Sequence, residues 1–299
     1  MTSLKWFASL FFAATVVTAL DAETGCPGNV ASLPFRLVNR YHMIVAVSVN
    51  RSGPYHFLLD TGMQVTMVDP SLAAELHLEP SGTVVVAGAA SRQSASYVQA
   101  DLLEAGSQAI ANQRMLAYDV HNLGGTLDIK GVLGEDFLEH FDVLIDNVHK
   151  LLCLDTSRAM RAGMRGPHTA LIPPSEASGG SELPNMGIIE ARLSDAKRPV
   201  RLVLDSGANG AILYNASEYL AEPPTGHLTG ADVEGVRVFT ALPAQDVKIG
   251  SVRLPGVLFV SLAGTQKDAR TKGFDGVLTL GLFRRVFICH AQKFVVLEP

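Results

Sequence analysis

The sequence predicts an all-β protein made of two tandem copies of one unit. Three observations predict this: a repeated acidic motif, apolar runs of strand length, and 27 Gly and 15 Pro spread along 299 residues without a period. Glycine and proline in this distribution mark many turns and exclude collagen-like and low-complexity chains. Hydrophobic residues make up 47% of the chain, which is enough for a sizeable core.

The duplication extends over most of the chain. The run Leu58-Leu59-Asp60-Thr61-Gly62 recurs 145 residues later as Val203-Leu204-Asp205-Ser206-Gly207. Gly131-Val132-Leu133 recurs at the same offset as Gly276-Val277-Leu278, and shorter matches follow in the same order. One matching tripeptide is common by chance, whereas an ordered series at nearly constant spacing indicates an internal repeat.

Both copies are expected to consist mainly of strands, with two short helices in the first copy. Alternating and continuous apolar runs bounded by turn residues predict the strands. In the first copy they are Ile44–Val49, Tyr55–Asp60, a hairpin from Thr83, and a hairpin of Phe141–Ile145 with Leu151–Leu154. In the second copy they are Ile188–Leu193, Val200–Asp205, Val233–Phe239, Val257–Ser261 and Phe294–Leu297. The predicted helices are Pro70–His77, which starts with a proline, and one turn at Asp136–His140.

The first residues predict a secretory signal. Lys5 precedes the uncharged run Trp6–Leu20, and Val17-Thr18-Ala19 offers small residues at the cleavage positions. We predict a signal peptide over residues 1–19 and an exported protein, periplasmic or extracellular, without a membrane span after cleavage. The alternative is an uncut N-terminal anchor. The remaining chain is predicted as one domain over 30–155, a linker over 156–167, a second domain over 168–299, and a flexible loop at Ser175–Ser181.

Charge and cysteine content exclude several classes. The net charge is −5, with no run of Lys or Arg, so a nucleic-acid partner is not expected. The three cysteines allow one disulfide at most. We interpret Cys153 and Cys289 as buried small hydrophobic residues; a bridge between these two is the one pairing considered. No motif for a metal site, dinucleotide or phosphate loop is present, so no cofactor is predicted.

An apolar strand that ends in Asp-Thr-Gly or Asp-Ser-Gly can carry a carboxylate to the floor of a cleft. Two such carboxylates, one from each copy, cannot both ionise cheaply when they are close, and therefore share one proton. The ionised member can then take a proton from water while the protonated member polarises a carbonyl group. Thr61 and Ser206 offer hydroxyls that can bond the opposite loop, and Gly62 and Gly207 permit a close approach.

These motifs resemble those of the aspartic proteases of the retroviral-protease and pepsin clan. The resemblance covers residues 30–155 and 168–299 and includes Val132-Leu133-Gly134, which packs beside the catalytic loop in that clan. It implies a retropepsin-like closed β-barrel in each copy, the two copies facing each other across a cleft. It also implies Asp60 and Asp205 as the catalytic dyad, and an extended peptide bound under hairpin flaps near Val84–Ala95 and 230–238.

Two positions depart from the pattern of that clan. Met63 stands where a small residue is usual, and Thr279 stands where the second copy should repeat Gly134. The predicted activity is an aspartic endopeptidase, with the dyad closed within the chain or between twin copies in a homodimer. A peptide-binding module without catalysis is the alternative, and a structural envelope protein is a weaker one. Five other aspartates lack the flanking motif and are interpreted as surface or turn residues: Asp69, Asp101, Asp128, Asp136 and Asp275.

Overall fold

The computed structural model describes residues 25–87, 92–123, 127–172, 186–214, 216–220, 226–232, 235–262 and 273–299. The predicted signal peptide, the predicted loop Ser175–Ser181, the tip of the first predicted flap at 88–91, and residues 233–234 of the second lie outside these ranges. Within the described ranges, no helix has the length and apolar character needed to cross a membrane.

The first half of the chain forms an eight-stranded sheet. The strands of this sheet are β2 (Arg36–Val38), β3 (His42–Val49), β4 (Ser52–Leu59), β5 (Met67–Val68), β6 (Pro80–Ala87), β7 (Arg92–Ala105), β8 (Gln108–Ala117) and β9 (Gly131–Leu133). Three further strands of this half belong to a separate sheet: β1 (Ser32–Pro34), β10 (Asp142–Asp146) and β11 (Leu151–Asp155). The order in the sheet is β2-β3-β4-β9-β5-β8-β7-β6, and an additional pairing of β3 with β7 closes the sheet on itself.

The second half repeats this arrangement in a nine-stranded sheet. The strands of this half are β12 (His168–Ala170), β13 (Ile188–Leu193), β14 (Val200–Asp205), β15 (Ala211–Leu213), β16 (Gly226–Asp232), β17 (Gly235–Ala241), β18 (Gln245–Ile249), β19 (Val252–Val257), β20 (Phe259–Leu262), β21 (Gly276–Thr279), β22 (Arg285–Cys289) and β23 (Phe294–Glu298). The long strands β7 and β8 correspond here to the pairs β17–β18 and β19–β20. The first break contains Pro243, which has no N–H to donate to a ladder.

A third sheet joins the two halves. It has six strands in the order β1-β11-β10-β22-β23-β12. At its centre β10 of the first half pairs antiparallel with β22 of the second, with Leu144 opposite Phe287. The hairpins β10–β11 and β22–β23 occupy equivalent positions in the repeat, so the shared sheet relates the two halves by an approximate two-fold axis.

Three short helices complete the described fold. The helices are α1 (Pro70–Glu75), α2 (Glu135–Leu138) and α3 (Ala159–Gly163). The first two match the predicted helices, although α1 ends two residues earlier than predicted, and α2 starts one residue earlier and ends two residues earlier. Helix α3 lies in the segment predicted as a linker, where its residue Met160 is fully buried. The apolar core is continuous across the molecule and contains strand residues of both halves, including Leu59 and Leu204.

The disulfide differs from the sequence-based expectation. Cys153 is bonded to Cys26, not left as a free buried residue or paired with Cys289, which is free and buried. Cys26 precedes a short turn at Pro27–Asn29, and the backbone of Gly28 lies against Ala159 of α3. The bridge therefore ties the N-terminal segment to β11 of the shared sheet.

Loss of this bridge is expected to lower the free energy of unfolding by about 2–4 kcal/mol, because it closes a loop of 127 residues in the unfolded chain. Urea denaturation of the oxidised and reduced protein measures the difference. Cys289→Ala is the control, since it removes the third thiol without touching the bridge and must preserve the difference. Equal unfolding midpoints for oxidised and reduced wild type would contradict the expectation.

Candidate active site

Each acidic motif stands at the end of a buried strand. Strand β4 runs parallel to β9, with Leu59 opposite Leu133, and the amide of Asp60 donates to the Leu133 carbonyl at 3.0 Å. In the second half β14 runs parallel to β21, and Asp205 lies opposite Thr279. The apolar runs thus form buried strands that fix where the chain emerges, and the carboxylates follow at that point.

The two loops bond to each other reciprocally through their hydroxyl residues. Thr61 Oγ1 donates to the Leu204 carbonyl at 2.8 Å and accepts the Ser206 amide at 3.0 Å. Ser206 Oγ donates to the Leu59 carbonyl at 2.8 Å and accepts the Thr61 amide at 3.0 Å. Both hydroxyl residues are buried, so each bond satisfies groups that water does not reach.

The glycines of the two motifs face the opposite carboxyl groups. A Cβ atom added to Gly62 would overlap the carboxyl group of Asp205, and one added to Gly207 would overlap that of Asp60. Only glycine leaves room for this approach. All six predicted site residues therefore meet at one place in a single chain.

The two carboxyl groups are hydrogen-bonded to each other and to the backbone of their own loops. Asp60 Oδ1 accepts the Gly62 amide at 2.9 Å, whereas Asp205 Oδ1 accepts two amides, those of Gly207 at 2.7 Å and Ala208 at 2.9 Å. Burial, the charge of Asp205 and the bond between the carboxyls raise the pKa of Asp60 well above its usual range. Burial also raises the pKa of Asp205, and the amides of Ala208 and Gly207 oppose that rise.

Two hairpins correspond to the predicted flaps. In the first half β6 pairs with β7, with Val84 opposite Ala95. In the second half β16 pairs with β17, and the exposed side chains of Leu228 and Val238 lie on this hairpin. Among the described residues, β6 and β16 are the outermost strands of their sheets, so one edge of each has no described strand paired with it.

Comparison with known proteins agrees with this architecture. Residues 45–137 match the family described as aspartyl protease. Among solved structures, an aspartic proteinase from Irpex lacteus superposes with a TM-score of 0.52 at 14% identity, covering 90% of this chain and 97% of that one. The chain has the aspartic proteinase fold. Among curated proteins no relative matches the sequence. The all-β fold class and the resemblance stated from the motifs are confirmed.

The side chain of Met63, which stands where a small residue is usual, is packed in the first half. Its half-buried side chain packs against a second apolar cluster that includes Ile44, Leu58 and Val132. Its backbone carbonyl accepts the amide of Glu135 at 2.8 Å, which holds the loop after Asp60 against α2. The larger residue is therefore accommodated by packing against this cluster.

In the first half, Gly134 packs flat against the loop that follows Asp60. A Cβ at Gly134 would lie 2.9 Å from the Met63 carbonyl oxygen and the Thr66 amide nitrogen. Thr66 supplies a hydroxyl at this contact, accepting the Gly134 amide at 3.1 Å and donating to Asp136 Oδ1 at 2.6 Å. Asp136 is therefore a half-buried member of the loop support, and its interpretation as a surface or turn residue is wrong.

The second half exchanges the two residues of this contact. Ala211 stands at the position of Thr66, and Thr279 stands at the position of Gly134. Thr279 Oγ1 donates to the Ala208 carbonyl at 2.6 Å and accepts the Gly281 amide at 3.2 Å. In the first half the supporting hydroxyl belongs to Thr66, on the loop after Asp60, whereas in the second half it belongs to Thr279, on the strand that packs against the loop. Thr279 therefore supports the loop after Asp205 although no glycine stands at its position.

Thr279→Val is expected to lower the free energy of unfolding by about 0.5–1.5 kcal/mol, because it removes a hydrogen bond to the carbonyl of the half-buried Ala208. The Ala208 amide bonds Asp205, so a peptide-cleavage rate is expected to fall as well. Chemical denaturation and initial-rate measurements check both effects. Thr279→Ser keeps the hydroxyl and is expected to restore them; equal stability of the Val variant would contradict the role.

Two more aspartates predicted at the surface are buried. Asp69 is 1% exposed, and its Oδ1 accepts the Ser71 amide at 2.9 Å as the N-cap of α1. Asp275 is 8% exposed and accepts the Arg201 amide and the Tyr219 hydroxyl. In both cases the carboxylate accepts hydrogen bonds from neighbouring donors, which offset part of the cost of its burial. The remaining pair of predicted surface residues, Asp101 and Asp128, is exposed.

A buried ionisable pair joins the halves next to the first loop. Glu135 Oε1 lies 2.5 Å from His290 Nε2, and His290 Nδ1 lies 2.7 Å from the Phe141 carbonyl oxygen. Both residues are almost fully buried. Burial raises the pKa of Glu135, and the hydrogen bond and charge of Glu135 raise the pKa of His290 against its own burial. Sequence analysis missed this pair, because no local motif connects residues 155 positions apart.

The stability of the protein is expected to be greatest in mildly acidic solution. Asp60, Asp205, Glu135 and His290 all have raised pKa values. A raised pKa means tighter proton binding in the folded state, so the stability that these groups contribute is lost as the pH rises through their folded pKa values. Melting temperatures measured from pH 3 to pH 9 are expected to decline on the alkaline side.

The acid limit comes from carboxylates with the opposite shift. Hydrogen bonds from His149 and from Ser157 and Met160 lower the pKa values of Asp146 and Asp155 below the usual 3.8. Their contribution is complete above the unfolded pKa and is lost as the pH falls through the lower folded value. The melting temperature should therefore decline again below about pH 4. A melting temperature that keeps rising to pH 8 would contradict this balance.

Proposed function

We propose that this chain is an exported aspartic endopeptidase that hydrolyses peptide bonds with a water molecule activated by Asp60 and Asp205. The observation that supports the proposal most strongly is the reciprocal bonding of Thr61 and Ser206, which joins the two acidic loops within one chain. A monomer with an intrachain dyad needs no twin copy to complete the site. No metal or organic cofactor is required for this chemistry.

The unequal surroundings of the two carboxyl groups assign their roles. Asp205 accepts two backbone amides on one oxygen, whereas Asp60 accepts one, so the ionised form is better stabilised at Asp205 and the shared proton is placed on Asp60. In the proposed reaction Asp205 takes a proton from the attacking water as that water bonds the carbonyl carbon. Asp60 gives its proton to the carbonyl oxygen, which becomes a hydroxyl of the tetrahedral intermediate.

The second step returns the protons. The proton held by Asp205 passes to the amide nitrogen as the C–N bond breaks, and the hydroxyl of the intermediate gives its proton back to Asp60 as the carbonyl reforms. The products are an acid and an amine, and the dyad regains its single shared proton. Water and one peptide bond are consumed in each cycle, so atoms and charges balance.

The hairpins β6–β7 and β16–β17 offer a place for an extended substrate. Each outer strand has an edge with no described strand paired with it, and strand addition uses the backbone groups of such an edge to hold a peptide main chain. We propose peptide or protein substrates bound in extended form between them, with side-chain preference set by the hairpins. The disulfide Cys26–Cys153 is in keeping with the proposed export to an oxidising compartment.

The proposal is tested by incubating the mature chain from Leu20 with a mixed peptide library between pH 3 and pH 7. Cleavage by the wild type, absent with Asp205→Asn, is the expected result, and the cut sites define the preference. If no pH yields cleavage while labelled peptides still bind both proteins equally, the chain is a binding module and the proposal fails. Melting curves of the two proteins verify that the variant is folded.

A further inference from the structure

Three potential ligand atoms converge at one end of the first half, away from the two acidic motifs. Asp69 is the cap of α1, while Asp119 and His121 follow the end of β8. One ligand atom from each of the three residues lies within 4.8 Å of the others. We propose that these residues form a binding site for one divalent transition-metal ion of the Zn²⁺ class, a site that is separate from the proposed function.

The buried carboxylate of Asp69 provides the strongest observation. Its side chain is 1% exposed, and while Oδ1 accepts the Ser71 amide and hydroxyl, Oδ2 is buried and receives no hydrogen bond from any residue that the structure describes. Oδ2 lies 3.2 Å from His121 Nδ1. A buried carboxylate oxygen without a donor is costly, and it indicates a missing positively charged partner.

One imidazole nitrogen cannot satisfy both carboxylates. His121 Nδ1 also lies 2.7 Å from Asp119 Oδ1, and a ring nitrogen carries at most one hydrogen. The shorter contact takes that hydrogen, which leaves Asp69 Oδ2 unpaired. A cation in place of the hydrogen can bond the nitrogen and both carboxylate oxygens at once.

The spacing of the ligand atoms suits a small tetrahedral ion. Zinc bonds of about 2.0–2.1 Å to nitrogen and oxygen place neighbouring ligands about 3.3 Å apart. The contact from His121 to Asp69 already has this length, and the contact from His121 to Asp119 needs to open by about 0.6 Å. Asp119 is 68% exposed, so its side chain is free to make that adjustment, and a fourth position stays open to water.

The ligand set and its surroundings favour Zn²⁺ over Ca²⁺ and Mg²⁺. Calcium and magnesium prefer sites made of oxygen atoms alone, whereas one imidazole with two carboxylates is a set that zinc accepts. Two carboxylates and a neutral imidazole carry the charge of −2 that balances the ion. The neighbouring cation Lys130 is paired with Asp128 at 3.1 Å, which reduces its repulsion of a bound metal.

A bound ion would fasten the turn after β8 to the start of α1. The second half has Tyr214 at the position of Asp69, so this site has no counterpart there. The expected role is structural, because the ion would join two separate segments of the first half. An ion that binds only the folded state raises the melting temperature as its concentration rises.

The experiment uses the tag-free mature protein, freed of metal with a chelator. Titration with Zn²⁺ in a calorimeter is expected to give one site per chain, and added Zn²⁺ is expected to raise the melting temperature. Titration with Co²⁺ should produce the visible absorption band of a tetrahedral ion. His121→Gln and Asp69→Asn are expected to weaken binding at least about tenfold and to abolish the band.

His227→Gln is the matched control, since this histidine is exposed on β16 of the other half. Its binding is expected to equal that of the wild type. Asp69→Asn keeps an oxygen acceptor for the Ser71 amide, and both ligand variants must melt as metal-free wild type does without zinc. Absence of zinc binding to the wild type, or binding that survives in both ligand variants, overturns the proposal.

Discussion

Asp205→Asn is expected to lower kcat/KM for peptide cleavage by about 10³-fold, with the fold unchanged. The asparagine oxygen can still accept the amides of Gly207 and Ala208, so the loop keeps its shape. What is lost is the carboxylate that takes the proton from water. Initial rates on a cleaved peptide, measured beside melting curves, check both statements. Asp60→Asn is expected to cause a loss of the same order, because the dyad needs both members.

The matched control for this loss is Asp246→Asn. Asp246 is a carboxylate of the second half that also accepts a backbone amide, that of Gly256 at 2.9 Å, but it is exposed and outside the two motifs. Its substitution should leave the rate within about twofold of wild type, since surface substitutions away from special features change little. A rate for Asp205→Asn that matches this control would refute the assigned role of Asp205.

Thr61→Val is expected to lower the free energy of unfolding by about 2–4 kcal/mol. The change removes one hydroxyl and leaves two buried backbone groups unpaired, the Leu204 carbonyl and the Ser206 amide, each of which costs about 1–3 kcal/mol. The peptide-cleavage rate should fall too, because the two acidic loops lose a bond that holds them together. Urea denaturation and initial rates measure the two effects.

Thr61→Ser keeps the hydroxyl and is expected to recover most of the stability and activity. Ser206→Ala removes the other hydroxyl, and the double variant of Thr61→Val with Ser206→Ala is expected to be less destabilised than the sum of the single ones. Residues that share bonds in one network couple in this way. The role of the reciprocal bonds would be contradicted if each single variant lost less than about 0.5 kcal/mol of unfolding free energy and the two losses added up in the double variant.

The sequence allowed the fold class and the equivalence of the two motifs to be predicted because both follow from the repeat, but it left open whether the motifs pair within the chain or in a homodimer. A repeated apolar strand with the same acidic ending places equivalent residues at equivalent positions, and Thr61 and Ser206 then meet near a two-fold axis. The helix at Pro70 also follows from the sequence. The sequence contains a further signal for the burial of Asp69: this residue precedes a proline at the first helical position, which is typical of an N-cap.

Other features depend on contacts between distant residues and had no local signal. The shared six-stranded sheet pairs β10 with β22, and the sequence pattern of neither strand indicates which strand it pairs with. The bridge Cys26–Cys153 joins a turn to a strand 127 residues away, which geometry alone decides. Thr279 departs from the motif in sequence, and its hydrogen bond to the Ala208 carbonyl, which supports the same loop, is visible only in three dimensions.

The central claim is that Asp60 and Asp205 act together within one chain. The most direct test measures the peptide-cleavage rate per mole of wild type, Asp60→Asn and Asp205→Asn over a thousandfold dilution. The intrachain dyad predicts a constant specific activity for the wild type and a loss of about 10³-fold in each variant at every concentration. A wild-type activity that falls on dilution, together with substantial activity in both single variants, would contradict it and indicate twin copies paired between two chains.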